Sequence, residues 1–582
     1  MWTSLADPIG VPKMFVVTTL SAWLLGLVLT AVVSDRIRKF SVGQWAVGGF
    51  ALGILIAATL TDVKFIAFFG AIQRNDGAFS YIAFAILSFS AMLSFGPSNL
   101  RQIRNWILTL GSLLTLYGLM QATGNDPVRW TLLYNPIMGT LGNPDFFSGI
   151  VGVAAIASVW LIIRGDKIWL RGWGFLLLLV ELFVLKRCAS TQGEVAFFVG
   201  LTLLSIVRIW QFQKRAGLIT AILISLASLP VFLGFLNAGP LASHLYRGTI
   251  NNRLDYWRAA ISMFKTHLLD GVGIDRFGEY YGQYAPKIQV VQGQPSDNAH
   301  NVFLQLAATG GLIVIIPYLL LVVTIFISAI RAVRSSIGGT QIDVFALFSI
   351  WLGLLLVSSI SIDNLGVAIW FWISGGALYG VSQRVLSEGR VAKSKVPKGK
   401  SGKHVLLQEG VRLTPIASIF FVGAMLYLMI PSLIISAKLF ALQNYRSGWS
   451  TAQFESKITD TQNTQPDNIQ IRIYLADLAL RGSDYRLGTK LVDSILKQDP
   501  RSINGYTLGA AAYEQTKRYE LALPYRLRLF KLNPGSTGNM LLLVKDYVAL
   551  KDLAKAREMS SRLSQLYPNS LDAKSAEALL KG

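Results

Sequence analysis

The sequence predicts an all-α protein in two parts, a polytopic bundle of membrane-spanning helices followed by a C-terminal α-solenoid. Hydrophobic residues make up 52% of the 582 residues and charged residues only 15%, whereas soluble domains carry roughly 25% charged residues. The apolar residues fall in runs of about 17–24, the length that crosses a hydrocarbon core of roughly 30 Å. From about residue 450 the composition becomes that of a soluble protein, which places the solenoid after the bundle.

The apolar runs predict about twelve membrane spans within a membrane domain of residues 1–437. They are 15–33, 45–61, 79–95, 106–122, 146–163, 172–186, 194–210, 218–237, 310–330, 343–360, 366–383 and 414–437. The first run is too long for a signal peptide and lacks a clear small-x-small cleavage site, so we expect it to be a retained span.

The positions of Lys and Arg predict the orientation of these spans. Basic residues cluster in every second connection, and the most basic is the linker 384–413. Short basic loops stay on the cytoplasmic side, so the hydrophilic loop 238–309 and the C-terminal tail are predicted to lie outside. This pattern accounts for much of the net charge of +22, and nucleic acid is not an expected partner. The linker 384–413 could bind lipid or nucleic acid, but a disordered cytoplasmic loop that helps fix topology is the simpler interpretation.

The C-terminal tail contains a repeat. Four prolines recur every 34 residues, at Pro466, Pro500, Pro534 and Pro568. This is the tetratricopeptide period, in which Pro closes the second helix of each repeat, and Ala522 and Ala556 keep the same phase. Residues 469–582 are therefore predicted to be a tetratricopeptide-type α-solenoid, joined to the membrane domain by a linker at 438–468. Such arrays bind peptides or partner proteins on a concave surface, or the array only spaces and stiffens the protein.

Several arginines fall in the predicted outer connections, where the positive-inside bias makes them unusual. The candidates are Arg74, Arg187, Arg253 and Arg258. Each needs an anionic partner, which is either a carboxylate of the fold or a phosphate of a ligand, because guanidinium binds phosphate in bidentate fashion and stays charged. The large loop also carries Arg247, Lys265, Arg276 and Lys287.

Two features of the large loop point to chemistry. Residues 252–260 are predicted to begin an amphipathic helix along the membrane surface, with Arg253, Tyr256 and Trp257 close together. His300 lies directly before an apolar helix near the membrane surface. Such a histidine can take a proton from a hydroxyl near neutral pH, or it is a structural residue of the loop.

The segment from His300-Asn301 to Gly310-Gly311 resembles the signature of the O-antigen ligase and polymerase superfamily, the Wzy-C-type membrane glycosyltransferases. Val314 and Thr309 depart from the common pattern. Three further stretches, each similar to a segment of this family, are the loop residues 253–258 with Asp255 and Trp257, residues 269–273, and residues 139–145 with Asn143. A Ser-Arg-Gly turn of the family is represented by Ser190-Thr191-Gln192-Gly193 without its Arg, and Arg187 is the candidate substitute. The resemblance covers roughly residues 60–385.

The resemblance implies a GT-C-type glycosyltransferase in the bacterial cytoplasmic (inner) membrane that serves polysaccharide biosynthesis in the cell envelope. It would take a glycan from an undecaprenyl-pyrophosphate carrier on the outer face. Arg253, with Arg258, Arg187 or Arg74, would hold the pyrophosphate, and His300 with Asn301 would orient or deprotonate the acceptor. Gly311 would allow close backbone approach. Neither a metal nor another cofactor is expected, and the single cysteine, Cys188, excludes a multi-thiolate metal site.

The acceptor decides the specific activity. A lipid A core acceptor makes the enzyme an O-antigen ligase, which the His300 motif favours, and a second carrier-linked repeat makes it a polymerase. A protein side chain makes it a protein O-oligosaccharyltransferase, which the repeat array favours slightly, and a wall polymer makes it a cell-wall ligase. A transporter or a scaffold that displays the array are the more remote alternatives, because the spans carry few charges and a scaffold leaves the His300 loop unexplained.

Overall fold

The computed structural model describes residues 2–34, 39–128, 130, 137–235, 238–240, 249–285, 296–393, 414–444 and 449–581. Within these ranges the regular structure is helical and contains no strand, which confirms the all-α class. The membrane part contains α1 Gly10–Val33, α2 Val42–Leu60, α3 Lys64–Phe69, α4 Ala78–Ser94, α5 Leu100–Ala122, α6 Pro144–Arg164, α7 Ile168–Cys188, α8 Thr191–Phe212 and α9 Lys214–Phe235. It continues with α10 Thr249–Thr266, α11 Phe277–Tyr284, α12 Val302–Ser335, α13 Gly338–Ile360, α14 Leu365–Lys393 and α15 Thr414–Asn444.

Nine helices of the described residues are long and apolar enough to cross a membrane, namely α1, α2, α6, α7, α8, α12, α13, α14 and α15. The pair formed by α4 and α5, bent by 105°, adds a tenth if it is counted as one span. These helices confirm a multi-pass helical bundle. Each of the twelve predicted segments overlaps a long helix, but the count of twelve crossings stays a prediction.

Contacts of α5 favour two separate crossings for this bent pair. Arg104, near the start of α5, donates to the carbonyl of Arg164 at the end of α6 over 3.4 Å. Gln121, near the end of α5, accepts from the backbone N–H of Met138 (3.1 Å) and of Gly139 (2.8 Å), shortly before α6 begins. Helix α5 therefore runs antiparallel to α6 along nearly its whole length.

Helix α6 lies at the centre of the bundle. Its residues Phe147, Ile150 and Trp160 are fully buried, and it packs against α5, α7, α8 and α13. It begins where Asn143 caps its first turn, with the side-chain oxygen accepting from the Asp145 N–H at 2.8 Å. It ends at Arg164, which pairs with Asp343 of α13 at 3.0 Å. The two ends of α6 thus define two opposite faces of the bundle.

The C-terminal tail begins with α16 (Thr451–Thr464) and continues as three helix pairs and a last helix. The pairs are α17 Ile469–Arg481 with α18 Tyr485–Gln498, α19 Ile503–Gln515 with α20 Tyr519–Leu532, and α21 Thr537–Ala549 with α22 Leu553–Leu566, and the last helix is α23 Leu571–Lys581. The first helices of the pairs and α23 start every 34 residues, because each recurring Pro is followed two positions later by an N-cap residue, Asn468, Ser502, Ser536 or Ser570.

Two predicted linkers contain helix. Helix α15 extends to Asn444 and α16 occupies 451–464, so most of the predicted linker 438–468 is helical. Helix α14 likewise extends to Lys393, and residues 394–413 of the predicted basic linker lie outside the described residues. The domain boundaries and the tetratricopeptide type of the array stay predictions.

The helical array packs against the large loop. The guanidinium of Arg276 contacts both carboxylate oxygens of Asp499 at 2.9 Å, and these two side chains are only 2% and 3% exposed. Arg501 lies over the ring of Tyr280 in α11, 4.0 Å from its centroid. Helix α11 therefore lies between the array and the rest of the loop.

Candidate active site

The loop 268–273 and the start of α12 are joined by their backbones. Helix α12 breaks at Gly311, whose φ is 61° and ψ is −162°, a conformation that is essentially limited to glycine. On one side of the break the carbonyls of Ala308 and Thr309 accept from Val272 (2.9 Å) and Gly273 (3.1 Å). On the other side, the N–H groups of Leu312 and Ile313 donate to the carbonyls of Leu268 and Leu269. The loop therefore supplies hydrogen-bond partners to two carbonyls before the break and two N–H groups after it, and these bonds hold two of the family-like segments together.

Asn301 begins the first part of α12. It is the N-cap residue, and its side-chain oxygen accepts from the Leu304 N–H at 3.0 Å. An N-cap asparagine satisfies one of the otherwise unpaired N–H groups of the first turn. The structure therefore gives Asn301 a helix-capping contact, through which it orients the backbone that carries His300.

His300 is held in a strained and well-defined position. Its φ is +52°, its N–H donates to the Asn298 side chain at 2.9 Å, and its Nδ1 lies 3.1 Å from the Asn298 carbonyl oxygen. Because a carbonyl oxygen only accepts, we assign the proton to Nδ1 and the lone pair to Nε2. Nε2 makes no hydrogen bond among the described residues, so it is available to accept a proton.

The surroundings of His300 favour its neutral form. Burial lowers the pKa of His300, and the nearby cations Arg253 and Arg74 lower it further. The Asn298 hydrogen bond and Asp297 oppose this effect without reversing it. The imidazole also lies against Tyr256 of α10, with ring centroids 5.2 Å apart. A neutral imidazole with a free Nε2 is suited to general-base catalysis.

Arg253 is the cation of α10 that faces this region. Helix α10 contains the predicted stretch 252–260. Burial lowers the pKa of Arg253, and Asp145, at the start of α6, and Tyr256 oppose it. Arg253 makes no ion pair or hydrogen bond with the described residues, so its guanidinium remains available for an anionic ligand.

Arg74, by contrast, is surrounded by carboxylates. Its guanidinium contacts Asp275 very closely, Asp297 at 2.5 Å and Asp76 at 3.5 Å. Burial alone would lower the pKa of Arg74, but the carboxylates of Asp275, Asp76 and Asp297 together raise it. Arg74 thus connects three segments of the chain. The anionic partner that the sequence predicted for it is a set of carboxylates of the protein itself. A direct contact of Arg74 with a pyrophosphate stays a prediction.

The other predicted residues are distributed around this centre. Arg258 is 57% exposed and contacts Asp255 at 3.3 Å, whereas Trp257 is partly buried. Arg187, exposed at the end of α7, donates to the carbonyl of Ala122 at 3.5 Å. Arg247 and Lys287 lie outside the described residues.

Sequence reasoning assigned no role to three residues that the structure places here. Asp297 belongs to the stretch that leads to His300, Asp145 follows Asn143, and Tyr256 follows Asp255. Asp145 accepts from the Ser190 hydroxyl at 2.7 Å. The sequence already placed Tyr256 near Arg253, but only the fold shows that Asp145 approaches Arg253, that Asp297 contacts Arg74 and that Tyr256 packs against His300.

A comparison with known families gives a match that overlaps this region. Residues 188–319 match the Wzy_C family model, described as O-antigen ligase. The matched range includes α10, Arg253, His300 and the break at Gly311. The match supports an O-antigen ligase-like membrane enzyme of the glycosyltransferase type. No curated protein matches the chain.

Proposed function

We propose that this protein transfers a glycan from an undecaprenyl-pyrophosphate carrier to an acceptor on the outer face of the cytoplasmic membrane. The observation that carries the proposal is the pairing of a neutral His300, whose Nε2 is free, with a partly buried Arg253 that forms no ion pair with the described residues. Nε2 of His300 can accept a proton, and the guanidinium of Arg253 can bind a phosphate. Ligase-type transfer is our first choice, because residues 188–319 match the O-antigen ligase family.

The proposed reaction is a single inverting displacement. An acceptor hydroxyl attacks the anomeric carbon of the donor glycan, and the bond from that carbon to the pyrophosphate oxygen breaks. The hydroxyl proton passes to Nε2 of His300. The leaving undecaprenyl pyrophosphate gains negative charge, which the Arg253 guanidinium would stabilise because it stays charged and is partly removed from water.

The remaining predicted residues take supporting parts in this proposal. Arg74 contacts the carboxylate and the carbonyl of Asp297, and it thereby holds the backbone segment that leads to His300. Asn301 caps α12, and Asn143 caps α6 beside Asp145 and Arg253. Arg258 and Arg187 would contact a more distant part of the donor, such as its second phosphate or its sugars. None of these steps calls for a metal or another cofactor.

Four classes of acceptor fit the proposed transfer. A lipid A core, a second carrier-linked glycan, a protein side chain or a wall polymer would each supply the attacking hydroxyl.

We interpret the repeating helix pairs as a tetratricopeptide-type array. The array would either bring a protein partner or acceptor to the loop, or hold the loop at a distance from the membrane. The array contacts α11 directly, which favours a role close to the reaction.

A transfer assay tests the proposal. Purified full-length protein in nanodiscs would receive a host undecaprenyl-pyrophosphate glycan and a host envelope extract, with Arg253→Gln and His300→Ala compared with the wild type. We expect carrier release and a glycosylated product in the wild type only, and the mass of the product would identify the acceptor. Lys265→Gln removes an exposed cation from the last turn of the same helix α10, and as the matched control it should keep most of the activity.

Arg74→Gln separates positioning from direct binding. Because it leaves three carboxylates without their cation, it should lower both the thermal unfolding temperature and transfer, whereas Arg253→Gln should lower transfer alone. Full activity of both His300→Ala and Arg253→Gln would refute the proposed chemistry. Glycan movement across the bilayer without product would instead support a transporter.

A further inference from the structure

A groove lies on the opposite face of the bundle from His300. It is formed by α5, α6 and α7 and has a volume of about 450 Å³. Arg101, Arg104 and Asn105 line one end, and Leu113, Leu116 and Trp173 line the apolar part. Because α6 has 21 residues and a helix rises about 1.5 Å per residue, its two ends lie about 31 Å apart. The groove is therefore separate from the candidate active site.

Arg104 is the unusual residue of this groove. It is only 4% exposed, and its guanidinium hydrogen-bonds to the Asn105 side chain and the Arg164 carbonyl, each at 3.4 Å, and lies 6.0 Å from the centroid of the Trp160 ring. Both acceptors are uncharged and distant. No carboxylate among the described residues forms an ion pair with it. A buried cation without a counter-charge is costly, so an anion is expected here.

The carboxylates near Arg104 already form ion pairs with other arginines. Asp343 pairs with Arg164 at 3.0 Å and accepts from the indole of Trp160 at 2.7 Å. Asp166 pairs with Arg101 at 2.9 Å. Each pair is neutral overall, which leaves the charge of Arg104 uncompensated at the inner end of the groove.

The shape of the groove indicates what supplies the anion. Its lining follows α5 from Arg101 to Leu116, which spans about 22 Å at 1.5 Å per residue. One leaflet of the hydrocarbon core is about 15 Å thick. The residues change along this length from basic to apolar, as the headgroup and chains of a phospholipid require. Basic pockets between membrane helices on the cytoplasmic side commonly hold anionic lipid headgroups.

We propose that this groove, which we call the α5–α7 groove, binds a phospholipid with a net negative headgroup, whose phosphate pairs with Arg104 and whose acyl chain lies against Leu113, Leu116 and Trp173. The site would hold the lipid on the predicted cytoplasmic side, away from the glycan donor. The proposal concerns binding and is independent of the transfer reaction.

Lipid binding to the purified full chain tests this proposal. Native mass spectrometry would measure binding of phosphatidylglycerol and of zwitterionic phosphatidylcholine to the wild type, to Arg104→Gln and to Arg334→Gln. Arg334 is an exposed arginine in the last turn of α12, and it serves as the matched control. We expect the wild type and Arg334→Gln to bind phosphatidylglycerol about tenfold more tightly than phosphatidylcholine, and Arg104→Gln to lose this preference.

Three results would overturn the inference. The first is equal affinity of the wild type for the two lipids, which needs no variant to fold. The second is an unchanged preference in Arg104→Gln. The third is displacement of the lipid by millimolar inorganic phosphate with the same affinity, because a site that binds free phosphate equally well does not use the apolar part of the groove.

Discussion

A Cβ atom at Gly311 would lie only 2.2 Å from the carbonyl oxygen of Leu269. The two residues are in contact at the break in α12, where backbone groups of the loop 268–273 form hydrogen bonds with backbone groups on both sides of the break. We therefore expect Gly311→Ala to lower the thermal unfolding temperature strongly, at a cost of more than about 3 kcal/mol, and to abolish transfer. Gly310→Ala is the control. The three atoms nearest to its Cβ belong to the Val314 side chain rather than to backbone, and Gly310 has no positive φ, so its effect should be smaller. Equal stability of the two variants would contradict this account of the break.

The pH dependence of transfer should reflect the lowered pKa of His300. The neutral imidazole is the active form, and it is protonated only below its pKa. Because burial and Arg253 lower that pKa, kcat/KM should stay constant down to a pH below about 6.5, the ordinary histidine value, before it falls.

Replacement of Asp297 should shift the pH profile of kcat/KM in a defined direction. Asp297 raises the pKa of His300, so in Asp297→Asn the acid limb of the kcat/KM profile should move to still lower pH. The exposed Asp270→Asn is the control and should leave the profile in place. An acid limb that moves to higher pH in Asp297→Asn would show that another group controls the reaction.

The role of Asn301 can be separated into capping and chemistry. Asn301→Ala removes the acceptor for the Leu304 N–H and should cost about 1 kcal/mol of stability. Asn301→Ser keeps an N-cap oxygen and should restore both the unfolding temperature and transfer. If Asn301→Ser is stable but as inactive as Asn301→Ala, the amide itself contacts a reactant.

The buried pair of Arg276 and Asp499 is expected to hold the array on the loop. Asp499→Asn leaves Arg276 with Glu279 as its one remaining carboxylate among the described residues, and the loss of a buried partner typically costs about 3–5 kcal/mol. Hydrogen exchange should therefore speed up in α11, at residues 277–284, while the membrane helices keep their protection. Asp477→Asn breaks the exposed pair with Arg481 and should change nothing measurable. Unchanged exchange in α11 would mean that other contacts suffice for docking.

The sequence by itself determined the features that depend on local pattern. Apolar runs of membrane length, the 34-residue spacing of Pro and N-cap residues, and the amphipathic start at 252–260 each follow from neighbouring residues. They predicted the helical bundle, the repeating helix pairs and α10. The order of the family-like segments likewise identified His300 and Arg253 as candidates.

Only the tertiary structure decided which charges meet. Arg74, Arg187, Arg253 and Arg258 were all candidate phosphate ligands from the sequence. In the structure Arg74 contacts three aspartates and Arg258 contacts Asp255, whereas Arg253 lies near Asp145 but forms no ion pair with the described residues. The partners Asp275 and Asp297 lie about two hundred residues from Arg74 along the chain, and no local pattern encodes such a separation. The uncompensated charge of Arg104 also depends on packing, because it reflects what the neighbouring helices do not supply.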